Sequence, residues 1–311
     1  MRLGFAVKVL GAGGLQSHDA RRWQSGPDLS VSLDHLDAIL TYLDTNAIRF
    51  YRMATSLAPY ASHPELTQFR DQPARCAELL AEVGRRAREL QIRLTCHPGQ
   101  YTVLNSEDRE VRRLAAVELE VQAEIMDAMG LGAESVVVLH AGGAAGGVDA
   151  GVERFERGFE TLSDAARARV VIENDDRSYG LGDVLRLSER IARPVVWDAL
   201  HHHCHDPHGL PVPEALERAL ATWPAGVMPK IHYSTPKTAV EERKRRVGRR
   251  VERTLVLPQL RAHADLIDPI AFEQFLAQVP PGRDFDVMLE AKAKDLALLR
   301  LREQLRARNG V

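Results

Sequence analysis

Short apolar runs alternate with amphipathic stretches along most of the chain. Eight runs carry the residues typical of strands, at positions 3–7, 47–53, 92–96, 135–139, 170–172, 195–197, 227–233 and 286–289. Between them, apolar residues recur at helical spacing in segments 33–43, 74–90, 111–129, 155–166, 184–191, 213–220 and 267–279, and a final helix is predicted over 294–306. Alternating strands and helices are typical of an α/β protein with a parallel sheet. We therefore predict a single (β/α)8 TIM-type barrel, with residues 1–311 as one catalytic domain.

A ligand-type residue follows the apolar run Val195-Val196-Trp197 directly. Asp198 ends this run and His201 lies three positions further on. Barrels of this class build their sites at the carboxyl ends of the strands, so both side chains are expected at one mouth. The alternative for this pair alone is a helix N-cap followed by a surface histidine.

The same pattern recurs at most of the other strand ends, and this repetition favours a metal site. A single catalytic Zn²⁺ takes about three protein ligands, so eight candidates indicate two or three ions. Imidazole and carboxylate ligands suit Zn²⁺ or Mn²⁺, and clustered divalent ions serve phosphoryl transfer. We expect a metal cluster at the carboxyl-terminal face of the strands, with candidate ligands His97, His140, Glu173, Asp198, His201, His232, His263 and Glu290.

Charge is distributed unevenly, although the whole chain carries only −2. Nine basic and three acidic residues lie between Lys237 and Arg261, around a predicted insertion at about 236–256. A solvated helix face is one interpretation of this block. The other is a surface that binds a phosphate backbone.

Composition and motifs exclude several other classes. The three cysteines have unrelated spacings, which predicts reduced thiols in the cytoplasm. The sequence contains no apolar run of 18 residues, so no membrane-spanning helix is predicted. The apolar run at the start of the sequence is too short to predict a signal peptide. The glycines between 142 and 147 lack the GK[ST] of a P-loop, and no Gly-x-Ser-x-Gly is present. The His-rich run 201–205 is interpreted mostly as loop, with His201 as its ligand.

Five motifs together resemble one family. They are HPGQY at 97–101, END at 173–175, DALHH at 198–202, KIHYS at 230–234 and RAHAD at 261–265. In combination they resemble the ultraviolet damage endonucleases, which are related to endonuclease IV within the xylose isomerase-like barrels. The resemblance extends from the first strand to Glu290.

The resemblance implies a DNA repair enzyme and its cofactors. Such an enzyme nicks the strand immediately 5′ of cyclobutane pyrimidine dimers and 6-4 photoproducts by metal-activated water, leaving 3′-hydroxyl and 5′-phosphate ends. It implies three ions, Mn²⁺ first and Zn²⁺ as the alternative. By position, the first ion takes His97, His140 and Glu173, the second takes Glu173, Asp198, His232 and Glu290, and the third takes His201 and His263. Double-stranded DNA with ultraviolet lesions is the implied partner of a monomeric, cytoplasmic, nucleoid-associated protein.

The resemblance also assigns roles to single residues. Glu173, Lys230 and His63 are the catalytic candidates, with His63 near the scissile phosphate and Lys230 carboxylated among the metals. An unmodified, salt-bridged lysine and a plain loop histidine are the alternatives. Gln100 and Tyr101 match the family's wedge, which fills the gap left by the extruded lesion, or else they form a packed turn. The basic segment, with Arg243, Lys244, Arg245 and Arg246, is interpreted as a DNA-backbone clamp.

Two departures from the family pattern and three rival functions remain at the level of sequence. Phe5 occupies a position where the family pattern favours tyrosine, so the hydroxyl that would contact the lesion or the metals is absent. The segment between His232 and His263, which contains the basic block, is longer than the family pattern needs. The nearest rival is an abasic-site endonuclease of the endonuclease IV type. A metal-dependent sugar isomerase or epimerase on the same barrel is more distant, and a non-catalytic protein that binds damaged DNA is the third.

Overall fold

A computed structural model describes residues 1–248 and 250–308. Its strands are β1 (Leu3–Ala6), β2 (Phe50–Arg52), β3 (Arg93–Thr95), β4 (Val137–His140), β5 (Val170–Glu173), β6 (Val195–Val196), β7 (Lys230–Tyr233), β8 (Glu241–Val247), β9 (Arg250–Val256) and β10 (Asp286–Leu289). Its α-helices are α1 (Leu29–Thr45), α2 (Gln72–Arg75), α3 (Ala77–Glu89), α4 (Arg109–Ala128), α5 (Val148–Glu160), α6 (Asp164–Arg169), α7 (Leu181–Ile191), α8 (Ala199–Cys204), α9 (Val212–Ala221), α10 (Pro269–Leu276) and α11 (Lys294–Arg308). Short 3-10 helices lie at Trp23–Ser25, Thr55–Leu57 and Thr67–Phe69.

Eight parallel strands follow one another around the fold in two arcs. One arc has the order β3-β2-β1-β10-β7 and the other β4-β5-β6. A single parallel bridge from Cys96 to Val137 joins β3 to β4, and another from Asp198 to His232 joins β6 to β7. The predicted α/β architecture is therefore confirmed, and both junctions between the arcs are single bridges rather than ladders.

The inside of the ring has its own small core. Side chains alternate between the two faces of a strand, so Phe5 packs outward against the helices while Gly4 and Ala6 face the interior. Phe50 and Met288 fill the space beside Ala6. A Cβ on Gly4 would approach the Phe50 ring to 2.7 Å, so this glycine makes room for the aromatic side chain. The larger core lies between the sheet and the surrounding helices, as in other parallel sheets.

A charged network closes the amino end of the strands. The Asp286 carboxylate accepts hydrogen bonds from the Arg2 backbone N–H at 2.9 Å, from Arg2 Nε at 2.9 Å and from Arg93 at 2.8 Å. Arg93 also donates to the Glu134 carbonyl at 2.8 Å, and its guanidinium carbon lies 5.2 Å from the centroid of the Phe50 ring. Although burial opposes it, hydrogen bonds from Arg2 and Arg93 lower the pKa of Asp286.

Three predicted segments have a different local structure. The His-rich run expected as loop is the helix α8, because Asp198 caps its first turn by accepting the His201 N–H at 2.7 Å. The basic block is not a helix face: β8 and β9 form an antiparallel hairpin. Segment 74–90 is divided into α2 and α3 at Cys76. Among the described residues, no helix has the length and apolar composition needed to cross a membrane.

Candidate metal centre

The carboxyl ends of the strands bring the predicted ligands into one cluster. His140 and Glu173 are the last residues of β4 and β5 and lie opposite each other in the sheet register. His97 and Asp198 come just after β3 and β6, and Glu290 just after β10. The ring geometry thus aims residues that are far apart in sequence at the same space.

Glu173 lies at the centre of this cluster and is fully buried. Its carboxylate oxygens lie 3.0 Å from His97 Nε2, 3.0 Å from His232 Nδ1, 3.3 Å from His201 Nδ1 and 3.8 Å from His140 Nε2. Although burial opposes ionisation, His232 and His140 hold the pKa of Glu173 well below its usual range. A charged carboxylate in contact with four imidazoles is suited to bridge metal ions.

Asp198 belongs to the site and caps a helix at the same time. One of its oxygens caps α8 and also lies 3.7 Å from His201 Nδ1, while the other oxygen has no hydrogen-bond partner among the described residues. The Asn174 side chain holds the backbone on both sides of this residue, accepting from the Asp198 N–H at 2.8 Å and donating to its carbonyl at 3.1 Å. The two interpretations of this pair, helix cap and site residue, are therefore compatible.

Glu290 forms the opposite wall of the cluster. Its carboxylate lies 3.4 Å from His232 Nδ1 and 3.7 Å from His263 Nδ1, and it accepts a hydrogen bond from Arg52. Sequence reasoning missed Arg52. It is the last residue of β2, so the strand-end rule that identified His140 and Glu173 applies to it equally.

Backbone carbonyls orient three of the imidazoles. Nδ1 of His201 lies 3.0 Å from the Asn174 oxygen, Nδ1 of His263 lies 2.7 Å from the Glu290 oxygen, and Nδ1 of His97 lies 3.0 Å from the Pro98 oxygen. Since a carbonyl only accepts, Nδ1 carries the proton in each contact, and Nε2 keeps its lone pair when the ring is neutral. Such contacts are typical of the outer shell of metal sites.

The unsatisfied atoms of the cluster fit divalent cations. Among the described residues, buried atoms without a hydrogen-bond partner include Glu173 Oε2, Asp198 Oδ2 and His232 Nε2. Burial raises the pKa of Asp198 to about 6 and lowers that of His232 to about 4, so a nearby positive ion would relieve the cost of the charged carboxylate and bind the neutral imidazole. Three overlapping groups place their ligand atoms within 4.8 Å of one another: His97–His232–Glu290, His97–His140–Glu173 and Glu173–Asp198–His201.

Lys230 lies inside the ring, two residues before His232 on β7. Its side chain is fully buried, its Nζ has no hydrogen-bond partner among the described residues, and the Phe50 ring centroid is 5.5 Å away. Burial, together with the charges of Arg93 and Arg52, lowers the pKa of Lys230 well below its usual range. Among the described residues, Lys230 forms no salt bridge, in contrast to the alternative of a salt-bridged lysine.

Two loops border the cluster on its β2 and β3 side. Gln100 and Tyr101 are the central residues of a turn closed by the Thr102 N–H, which donates to the Gly99 oxygen at 3.0 Å, and both are exposed, Tyr101 with 84% of its surface accessible. Tyr101 lines a cavity of about 240 Å³ together with Tyr60 and Ser62 of the preceding loop. His63 follows directly, with Nδ1 accepting from the backbone N–H groups of Glu65 and Leu66 at 3.2 and 3.3 Å.

Phe5 lies on the other side of the sheet from the metal candidates. It is fully buried, and its ring packs edge-on against Tyr51 with the centroids 5.4 Å apart. In the described structure, the side chain at this position therefore belongs to the core between sheet and helices.

The basic hairpin rises from the segment that carries His263. Pro236 and His263 form an antiparallel bridge, and Lys237 N–H donates to the Ala262 oxygen at 2.6 Å. Arg243, Lys244, Arg245 and Arg246 are exposed on β8, while Arg249 lies outside the described residues.

The fold and these donors define an α/β-barrel protein with a candidate site for divalent metal. A model of the UV-endonuclease UvdE family matches residues 29–311, and the chain belongs to that family, as the motifs predicted. A UV DNA damage endonuclease of Bacillus cereus (strain G9842) is 30% identical over 282 residues, which cover 90% of this chain and 82% of that protein. The Bacillus mycoides (strain KBAB4) protein of the same name matches equally, at 30% over 282 residues.

Comparison with solved structures also finds a UVDE structure. The crystal structure of SacUVDE superposes with a TM-score of 0.82 at 28% identity and covers 100% of both chains. A D-psicose 3-epimerase, crystallised in the presence of D-fructose, has a TM-score of 0.53 at 12% identity and covers 94% of this chain and 85% of its own. The epimerase likeness is a likeness of fold.

Proposed function

We propose that this chain is a DNA repair endonuclease, dependent on divalent metal, that cuts the phosphodiester bond immediately 5′ of ultraviolet photoproducts. The products would be 3′-hydroxyl and 5′-phosphate ends. The observation that carries the proposal is the contact of one buried carboxylate, Glu173, with four imidazoles in a chain of the UV-endonuclease family. We also propose that residues 1–311 act as one catalytic domain, as a monomer and on cytoplasmic DNA.

The proposed cofactor is a set of three divalent ions, Mn²⁺ first and Zn²⁺ as the alternative. When bound, such ions supply charge stabilisation for the phosphate and lower the pKa of water. The proposed ligand sets are His97, His140 and Glu173, then Glu173, Asp198, His232 and Glu290, then His201 and His263. Arg52 donates to Glu290 and holds its carboxylate at the wall of the cluster. His63 is proposed near the scissile phosphate, where its ring would donate to a phosphate oxygen.

Tyr101 and Gln100 are proposed to fill the gap that the lesion leaves in the base stack. The exposure of Tyr101 supports this role, because a free aromatic ring offers a stacking surface. Replacing Tyr101 by Ala should weaken binding to a dimer-containing duplex by roughly tenfold, since base–aromatic stacking is worth about 1–3 kcal/mol. Equal binding of the damaged duplex by Y101A and the parent protein would remove Tyr101 from the role.

Lys230 is proposed to carry a carboxylate on Nζ. The neutral amine attacks carbon dioxide, the N–C bond forms and the nitrogen releases one proton to solvent, so a neutral group becomes an anion beside the metal ligands. The burial of Nζ without a partner supports this. A carbamate ¹³C resonance should appear when the loaded protein is supplied with ¹³C-bicarbonate and should be absent from K230M. Its absence from both proteins would leave Lys230 unmodified.

The basic hairpin is proposed to contact the backbone of the substrate duplex. Its exposed arginines and lysine support this, because each phosphate contact releases bound counterions. Neutralising Arg243, Lys244, Arg245 and Arg246 together should lower both the affinity for DNA and its dependence on salt. Unchanged values of both quantities would end the clamp proposal.

The decisive experiment is metal-dependent cleavage of defined duplexes. Matched oligonucleotides carry one cyclobutane dimer, one abasic site or no lesion, and each is incubated with metal-loaded or chelator-treated protein. Preferred metal-dependent nicking 5′ of the dimer supports the proposal, whereas preferred nicking at the abasic site favours the endonuclease IV type. Binding to damaged DNA without scission would identify a non-catalytic protein, and turnover of a ketose without DNA would identify an epimerase.

A further inference from the structure

The hairpin of β8 and β9 has two faces of different chemistry. Residues directly opposite each other in an antiparallel ladder project to the same side, and successive residues project to opposite sides. The observed register pairs Glu242 with Leu255, Lys244 with Arg253, and Arg246 with Val251. We name these six residues the mixed face. The register places the other pairs on the other side, which we name the opposite face: Glu241 with Val256, Arg243 with Thr254, Arg245 with Glu252 and Val247 with Arg250.

The four basic residues of β8 are consequently divided between the two sides. Lys244 and Arg246 belong to the mixed face, whereas Arg243 and Arg245 belong to the opposite face. A two-stranded ribbon turns one of its faces toward a given stretch of duplex. We therefore expect one pair of cations to make the principal contacts and the other pair to contribute less.

The apolar residues distinguish the two faces. On the mixed face, Leu255 is 74% and Val251 is 57% exposed, and both alternate with cations. Exposed aliphatic side chains gathered on one side of a ribbon are typical of an interaction surface. Among the residues of the opposite face whose exposure the structure describes, Val256 is the apolar one, and it is half-buried.

Charge identifies the partner. Glu242, the acidic residue of the mixed face, is paired with Arg253 at 3.1 Å, so Lys244 and Arg246 keep their charges for another molecule. On the opposite face Glu252 lies directly across from Arg245, whereas Glu241 pairs with Lys237, so Arg243 and Arg250 also keep their charges, and the exposed aliphatic groups are what set the mixed face apart. Uncompensated cations beside aliphatic groups suit a polyanion with an apolar component, which is the combination that phosphates and deoxyribose present along a DNA groove.

The dimensions and the root of the hairpin fit this partner. Each strand has seven residues, which makes the ribbon about 23 Å long, enough to cross a major groove about 12 Å wide. Where the hairpin joins the barrel, the Ala264 N–H donates to the Thr235 oxygen at 2.9 Å. This contact lies next to His263, so the hairpin begins beside a candidate metal ligand. We infer that the mixed face of the hairpin seats in a groove of the duplex flanking the lesion, with Lys244 and Arg246 on phosphates and Val251 and Leu255 against sugars.

This inference rests on the proposed function, and its test uses DNA that the enzyme does not cut. Affinity of the metal-loaded protein for an undamaged duplex is measured by fluorescence anisotropy over a range of salt concentrations. The variants K244Q/R246Q and R243Q/R245Q remove the same charge from the same strand, so each is the control for the other. V251T/L255T removes the aliphatic surface while keeping strand-forming residues, and L260T alters an exposed leucine outside the hairpin.

We expect K244Q/R246Q to weaken binding roughly 10- to 30-fold near 0.15 M salt and to reduce the salt slope by about 1.8. R243Q/R245Q should change affinity less than about threefold and the slope by less than about 0.5. V251T/L255T should weaken binding about three- to tenfold at an unchanged slope, since the lost contact is apolar, and L260T should bind like the parent. Equal effects of the two charge variants, or a larger effect of R243Q/R245Q, would overturn the assignment of the face.

The two proposals fail in different ways. If the parent protein does not nick the dimer-containing duplex, the proposed function is wrong, whatever the anisotropy data give. If nicking is normal but the mixed-face variants bind like the parent, the enzyme stands and the groove contact is wrong. Binding of the parent to anionic lipid vesicles but not to duplex DNA would overturn the inference in favour of a membrane surface.

Discussion

Two buried aspartates at opposite ends of the same ring have opposite environments. Asp286, at the amino end, receives three hydrogen bonds from Arg2 and Arg93, and these lower its pKa. Asp198, at the carboxyl end, receives one backbone N–H on one oxygen and leaves the other without a partner among the described residues, and burial raises its pKa to about 6. Both side chains are almost inaccessible to solvent.

The difference separates a structural ion pair from a candidate metal ligand. A carboxylate already satisfied by guanidinium groups has nothing left to offer a cation. A buried carboxylate with a free oxygen is costly in the bare protein, and the cost is recovered when an ion binds. Removing Asp286 should therefore affect folding, and removing Asp198 or Glu173 should affect metal and chemistry.

The largest expected effect follows substitution at the centre of the carboxyl end. Glu173→Gln should lower the rate of nicking at a dimer roughly a thousandfold, because one carboxylate charge serves several contacts in the cluster. Binding to the dimer-containing duplex should stay within a few-fold of the parent value. Glu134→Gln, at the other end of the ring, is the control and should nick normally. Undiminished nicking by E173Q would refute the central role of Glu173.

Stability should respond in the opposite way. Asp286→Asn should lower the free energy of unfolding by about 3 kcal/mol, because it leaves the buried Arg93 without its counter-charge. Asp198→Asn should leave the metal-free protein as stable as the parent, since the amide oxygen can still cap α8. Chemical denaturation of the metal-free variants measures both. Similar losses for the two variants would contradict the distinction between the ends.

The smallest effect concerns pH. Asp198 has a pKa of about 6, above its usual value near 3.9, so it takes up a proton as pH falls through 6. Proton and cation compete for the same oxygen; metal affinity should hold above pH 6 and fall up to about tenfold per unit below it. Asp286, whose pKa is lowered, should stay ionised and keep its contribution to stability until stronger acid. Calorimetric titration of metal at pH 5.0, 6.0 and 7.5 measures the affinity. Constant affinity across this range would contradict the assignment of Asp198.

The succession of strands and the positions of the candidate ligands were predictable, because both follow from local patterns. A buried parallel strand is a continuous apolar run, and the residue at its end marks the mouth of the ring, as at His140 and Glu173. The same rule identified Asp198 beyond the end of β6 without any knowledge of contacts. What placed these residues together was the fold class, and the family comparisons confirm it.

Other features depended on contacts that a linear pattern does not contain. The basic block has neither strand-like apolar alternation nor helical spacing, so its hairpin is set by cross-strand pairing around Gly248, whose φ of 60° suits a turn. The network of Arg2, Arg93 and Asp286 joins residues up to 284 positions apart. Arg52 was within reach of the strand-end rule, but only its contact with Glu290 reveals its purpose.

The two single-bridge junctions make the ring a pair of half-shells. One half carries Glu173 and Asp198, and the other carries His97, His232 and Glu290. The proposed ions would be held by residues of both halves and would therefore connect them. Filling the cage should therefore stiffen the walls that enclose it. We expect slower amide hydrogen exchange at Val138 and His232, whose N–H groups bridge the two junctions to Cys96 and Trp197, when Mn²⁺ is added. Identical amide exchange rates with and without Mn²⁺ would mean that packing alone holds the two halves together.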